Sequence, residues 1–155
     1  MFLNAVKDFN KKRNGFKLDY QLEMNMLKEE IQEFFDAEDL AEMVDAYVDV
    51  MYVFSGTKIK YSYNFTMFPE EFTIINDEFE SIAYEIMLEK VGSKNTLNDI
   101  INKAKEIVAN ANAMKGTKLD ENGKVFKDEE YKKAIDATQQ IREMLKKYGL
   151  WKKHT

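Results

Sequence analysis

The sequence predicts an all-α fold, a helical bundle, on three observations. Proline occurs once, at Pro69, and glycine six times in 155 residues, so little of the chain is barred from helix. Apolar side chains recur at i, i+3 and i+4 along several long segments. Apolar residues make up 45% and charged residues 33%, the balance expected of many amphipathic helices around one core.

The elements follow in order. A first helix is expected over residues 2–12, ending at Asn14-Gly15. A second covers 19–37, with Met24, Leu27, Ile31, Phe34 and Phe35 on one face. A third, 39–55, is apolar around most of its circumference, and Gly56 reads as its C-cap. The aromatic stretch "TKIKYSYNFTMFPEEFTIIN", 57–76, reads as a connection packed on the bundle or on a partner subunit. A fourth helix, 77–90, carries Phe79, Ile82, Ala83, Ile86 and Met87 and stops near Gly92. A fifth opens on a capping box of Thr96 and Asp99 and presents Leu97, Ile100, Ile101, Ala104, Ile107 and Val108. A loop with an Asn122-Gly123 turn leads to a last helix over 128–148. The length suits a single domain spanning 1–155.

Composition narrows the function classes. The net charge of −5 conceals an acidic part, residues 1–114, with 12 basic and 21 acidic side chains, and a basic part, 115–155, with 11 and 7. A binder of nucleic-acid polymers would carry a basic patch or stripe on an overall basic chain. The longest apolar run, "AYVDVMYVF", is too short to span a bilayer, and no secretory pattern opens the chain. With no cysteine, thiolate metal sites are excluded and a cytoplasmic setting is expected. An acidic site beside a basic tail suits a metal bound to a phosphorylated small molecule.

The third helix poses the sharpest question. Glu42, Asp45 and Asp49 fall within a stripe about 60° wide on a helical wheel. Met43, Val44, Tyr47, Val48, Val50, Met51 and Phe54 cover most of the rest. A helix this apolar is normally buried, and a buried carboxylate must be paired, protonated or metal-bound. Helix two supplies Glu29, Glu30 and Glu33. Alone, these three read as a solvated face. The short link "DAEDL" implies an antiparallel hairpin that can bring Glu30 and Glu33 to the pair Glu42 and Asp45. Clustered carboxylates repel unless cations sit between them, and hard oxygen ligands without histidine or cysteine suit Mg²⁺ or Mn²⁺.

Two rival metal sites fail on inspection. A di-iron carboxylate bundle wants Glu-x-x-His motifs, and the only histidine is His154. An EF-hand at "DENGKVFKDEE" would need its glycine at the sixth loop position, where this one is fourth.

Glu29-Glu30-x-x-Glu33 followed by Glu42-x-x-Asp45 resembles the EExxE…ExxD signature of the all-α nucleoside triphosphate pyrophosphohydrolases, which include MazG, dimeric dUTPases and phosphoribosyl-ATP pyrophosphohydrolase. The longer "AEMVDAYVDVMYVFSGT" is most similar to the MazG-like and phosphoribosyl-ATP pyrophosphohydrolase-like branch, including small phage-encoded members. Downstream, "NAMKGTKLDENGKVFK" is similar to their Asn-x-x-Lys segment and "DE-x-GKV-x-K" stretch.

The resemblance implies a Mg²⁺-dependent cleavage of a nucleoside triphosphate between its α and β phosphates, with Mn²⁺ as a substitute. It implies Glu30, Glu33, Glu42 and Asp45 as metal ligands, with Asp49 a further ligand or support. It implies Glu29 as the group that orients or deprotonates the attacking water. Asn112, Lys115 and Lys118 would contact substrate, and the family works as homodimers or homotetramers. Two other readings stand beside it. One is a non-catalytic metal and nucleotide sensor. The other is a helical assembly protein that would use Tyr61, Tyr63, Phe65 and Phe68 as an exposed interface.

Overall fold

The structure is a computed structural model that describes residues 2–13, 15–114 and 136–151. It contains α1 (Phe2–Arg13), α2 (Tyr20–Asp36), α3 (Leu40–Tyr63), α4 (Glu70–Val91), α5 (Lys94–Ala113) and α6 (Ala137–Lys147), and no strand among the described residues. The all-α expectation is met.

The helix starts follow from local chemistry. Asp19, Asp39, Ser93 and Asp136 each turn a side-chain oxygen onto the N–H three residues on, at Leu22, Glu42, Thr96 and Gln139. Each such cap contributes about 1 kcal/mol by satisfying an orphan donor. α4 opens after Pro69 without a side-chain cap, and Glu70 and Glu71 place negative charge at its positive end.

α3 is the hub. It packs on every other described helix, which explains an apolar surface wider than one stripe. Val44, Val48 and Val50 are fully buried, and Tyr47 and Tyr52 nearly so. Each fully buried side chain of this kind contributes about 1.5–3 kcal/mol. Rings join the layers: Phe34 and Phe79 meet edge to face at 5.3 Å, and Tyr52 stands edge-on between Phe2 and Phe9, 5.5 Å from each.

The boundaries depart from expectation in three places. α3 does not stop at Gly56 but runs to Tyr63, because no proline follows and Thr57, Lys60 and Tyr61 continue its buried face. Gly56 is itself buried, and a Cβ there would lie 3.0 Å from Asn10 Nδ2 on α1. The glycine permits a close helix crossing instead of ending a helix. The expected connection over 57–76 is therefore mostly helix, with only residues 64–69 between α3 and α4. Within it, Tyr61 is buried and Phe68 packs on Phe54, Tyr61 and Phe72, while Tyr63 and Phe65 stay exposed. Finally, α5 begins at Lys94 with Ser93 as its cap, so Thr96 is a donor to the cap, not the cap itself. Asp99 instead binds the Tyr148 hydroxyl and Lys103. The expected last helix is seen over 137–147, and its first residues, 128–135, lie outside the described residues.

Candidate active site

The α2–α3 hairpin carries the acids. Its turn is residues 37–39, and the two helices pack against each other along their length. Asp49 of α3 comes together there with Glu30 and Glu33 of α2. Carboxylate oxygens from these three lie within 4.8 Å of one another, with Glu30 buried, Asp49 half-buried and Glu33 exposed. An octahedral Mg²⁺ binds oxygen at about 2.0–2.1 Å, so opposed ligands on one ion stand about 4.2 Å apart. The three acids therefore fit a single hard divalent cation with little adjustment, and their all-oxygen chemistry suits it.

Glu42, the third residue of α3, lies beside the turn and stands outside this group. Its Oε2 accepts from the Glu38 N–H at 2.6 Å, while its own N–H donates to Asp39 at 2.8 Å. The pair of bonds resembles a capping box and ties the hairpin turn. Asp45, one turn on, accepts from the Thr138 hydroxyl of α6 at 3.0 Å. The three acids that interrupt the apolar helix thus meet three different surroundings: the turn, α6, and the acids of α2.

Glu29 is exposed, beside Glu30 and one turn before Glu33. Asn112 is buried in the last turn of α5, and its carbonyl accepts from Arg13 of α1 at 3.2 Å. Lys115 and Lys118 lie outside the described residues. Beyond Asp49 the Tyr52 hydroxyl reaches the Ala5 carbonyl at 3.3 Å. Burial pushes Tyr52 up to about 12; Arg13 opposes this, and the negative charges of Asp49 and Asp8 add to it.

Four polar residues at the hairpin carry no mark in the sequence motif. Glu23 and Lys60 form a buried ion pair across α2 and α3, joined by Thr57. A signal was present: Glu23 sits on the core stripe with Leu27, Glu30 and Phe34. Arg142 of α6 contacts Asp39 and Glu42. Thr138 and Arg142 are four residues apart on one face of an amphipathic helix, a pattern visible in sequence but with no sign of its target.

An all-helical hairpin with carboxylates converging from both arms is the arrangement that the resemblance to the all-α nucleotide pyrophosphohydrolases implies. Residues 8–66 match the family model of phosphoribosyl-ATP pyrophosphohydrolase, a family of hydrolases acting on acid anhydrides, and that stretch is similar to it. The matched stretch takes in all of α2 and α3, hence every acid of the hairpin. No curated protein and no solved structure matches the chain.

Proposed function

We propose that the protein is a Mg²⁺-dependent nucleoside triphosphate pyrophosphohydrolase that releases a nucleoside monophosphate and pyrophosphate, with Mn²⁺ as a substitute metal. The observation that carries this reading is the convergence of Glu30, Glu33 and Asp49 inside the family-matched hairpin. Ribo- and deoxyribonucleoside triphosphates are the substrate class, with phosphoribosyl-ATP, which the family is named for, among them.

A bound divalent cation would offset phosphate charge and lower the pKa of a coordinated water. Glu30, Glu33 and Asp49 would supply ligand oxygens to the cation, with Glu42 and Asp45 extending the acid stripe along α3. Glu29, exposed beside Glu30, orients the attacking water and takes its proton. The water oxygen bonds to the α phosphorus as the bond from that phosphorus to the α–β bridging oxygen breaks, and pyrophosphate leaves. Asn112, Lys115 and Lys118 complete the reading as substrate contacts, the lysines offsetting charge on the leaving pyrophosphate.

We read all 155 residues as one such domain, active in the cytoplasm as a homodimer or homotetramer, and of the small phage-type branch. Among the described residues no helix is long and apolar enough to cross a membrane.

The test is product release from a panel of ribo- and deoxyribonucleoside triphosphates and phosphoribosyl-ATP, with Mg²⁺ or Mn²⁺. Monophosphate and pyrophosphate in equal amounts are expected, and Glu30→Gln and Asp49→Asn should abolish them while helical content persists. Full activity in both variants would remove the assigned site.

A further inference from the structure

Among the described residues α2 and α6 each pack on α3 but not on each other. The acid stripe of α3 is therefore flanked by two unlike walls. On the α2 side, Asp49 meets Glu30 and Glu33, acid against acid. On the α6 side, Asp45 meets the Thr138 hydroxyl and Glu42 meets the Arg142 guanidinium, 3.5 Å away. One end of the stripe gathers three carboxylates, and the other end meets a guanidinium.

The Arg142 contacts are poor ones for a structural clamp. Its Nε and one terminal nitrogen both approach the same oxygen of Asp39, each at 3.2 Å, instead of forking across two oxygens. Charge-assisted N–H···O bonds are ordinarily about 2.7–2.9 Å, and the bidentate form is the strong one. Arg142, Asp39 and Glu42 side chains are 24%, 26% and 35% exposed, so water competes for each of them. Such a guanidinium is readily exchanged to a better acceptor, and phosphate oxygens match its planar fork. Glu42 and Asp49 are two turns apart on one stripe, roughly 10 Å along the axis. A polyphosphate lying along the stripe would reach from the Asp49 end towards Arg142.

We propose that Arg142 is a substrate-binding residue, a guanidinium held on Asp39 and Glu42 in the free protein and transferred to the polyphosphate of a bound nucleoside triphosphate. Thr138, on the same face of α6, binds Asp45, while Ala137, Ile141 and Leu145 bury the helix against the core. The assignment rests on the pyrophosphohydrolase reading for its ligand class, and it adds to the site a helix lying outside the family-matched residues 8–66.

The experiment is calorimetric titration of an α,β-methylene nucleoside triphosphate, which resists cleavage, into the full chain with Mn²⁺ present. Wild type is compared with Arg142→Lys, Arg142→Met and Thr138→Val, and each protein is also titrated with Mn²⁺ alone. Arg142→Met should weaken analogue binding tenfold or more, and Arg142→Lys should recover part of that loss. Mn²⁺ affinity without nucleotide should be unchanged or tighter, because Glu42 is released.

Analogue binding by Arg142→Met equal to wild type would overturn the assignment. So would an equal loss in Thr138→Val, since that variant removes one hydroxyl bond while buried Ala137, Ile141 and Leu145 keep α6, and with it the guanidinium, in place. Wild-type protein that binds Mn²⁺ and no analogue would overturn it as well. Should Arg142→Met not fold, the weakening in Arg142→Lys decides, and its absence there is fatal to the idea. Arg142-dependent analogue binding by a protein that cleaves no triphosphate would support this assignment and sink the pyrophosphohydrolase reading alone.

Discussion

Lys60 Nζ lies 3.0 and 2.9 Å from the two carboxylate oxygens of Glu23, and both side chains are 4% exposed. The Thr57 hydroxyl donates to the same carboxylate at 2.9 Å. This ion pair crosses the hairpin far from its turn and fixes how α2 lies along α3. That register decides which acid of α3 faces Glu30 and Glu33. Removing one partner strands a buried charge, at a cost of about 3–5 kcal/mol, whereas replacing both by apolar side chains is often neutral or stabilising. Lys60→Met should therefore destabilise by about 3–5 kcal/mol in urea denaturation. The double variant Glu23→Leu, Lys60→Met should recover most of that loss. Additive losses in the double variant would show that the pair is not acting as a unit.

The hairpin was legible because its signals agree at every level. Asp19 and Asp39 are capping residues, the apolar period is 3.6, and the turn is too short for any but an antiparallel arrangement. What escaped the sequence depends on partners distant along the chain. Gly56 read as a stop because a glycine that ends a helix and one that admits a neighbouring helix look alike until α1 is placed. The choice between Glu42 and Asp49 as the acid facing α2 is a matter of register, which periodicity alone leaves open. Arg142 was hidden for a similar reason, since its targets lie about a hundred residues away.

Gly56 and Asn10 make the helix crossing testable. Asn10 Nδ2 is pinned by its bond to the Val6 carbonyl at 2.9 Å, so it cannot yield to a new Cβ without breaking a buried hydrogen bond. Gly56→Val should destabilise by about 1–3 kcal/mol through overpacking. Asn10→Ala, which opens the space, should make the same substitution measurably less harmful. Equal costs of Gly56→Val in the two backgrounds would show that Asn10 is not the obstacle.

Phe65 follows the C-cap of α3 with φ 53°, and it is 99% exposed. The Thr66 N–H bonds back to the Tyr61 carbonyl at 3.0 Å, so this left-handed residue closes the end of the helix. A bulky side chain is strained there, and an exposed ring offers little packing in return. Phe65→Gly should stabilise the protein by up to about 1 kcal/mol, read from the denaturation midpoint. A loss of stability would reveal that the ring contributes packing outweighing the relieved strain.

Glu80 gives a pH-dependent signature. It lines a hollow of about 420 Å³ with Tyr47, Asp77, Ser81, Tyr84 and Glu85. Burial raises its pKa, Asp77 adds to the rise, and Lys105 opposes it. A carboxyl whose folded pKa is raised binds its proton more tightly when folded. Its ionisation therefore costs stability as pH rises through that value, and nothing is lost below the ordinary value of 4.5. Glu80→Gln should raise the melting temperature at pH 7, with the gain vanishing below about pH 4. A gain that persists in acid would assign the effect to something other than charge.

The acid group of Glu30, Glu33 and Asp49 predicts how metal and stability are linked. Carboxylate oxygens of the three lie within 4.8 Å of one another, and a cation that binds them only in the folded chain stabilises it by mass action. At a concentration one hundred times its dissociation constant, that gain is about 2.7 kcal/mol. Mn²⁺ or Mg²⁺ should therefore raise the melting temperature of the wild type measured against chelator. Glu33→Gln removes one ligand charge at the exposed edge of the group, so it should gain little from added metal. Glu29→Gln, beside the group but outside it, should keep the full metal-induced rise while losing turnover. An undiminished rise in Glu33→Gln would mean that the cation is held elsewhere on the acid stripe, with Asp45 and Glu42 the next carboxylates to remove.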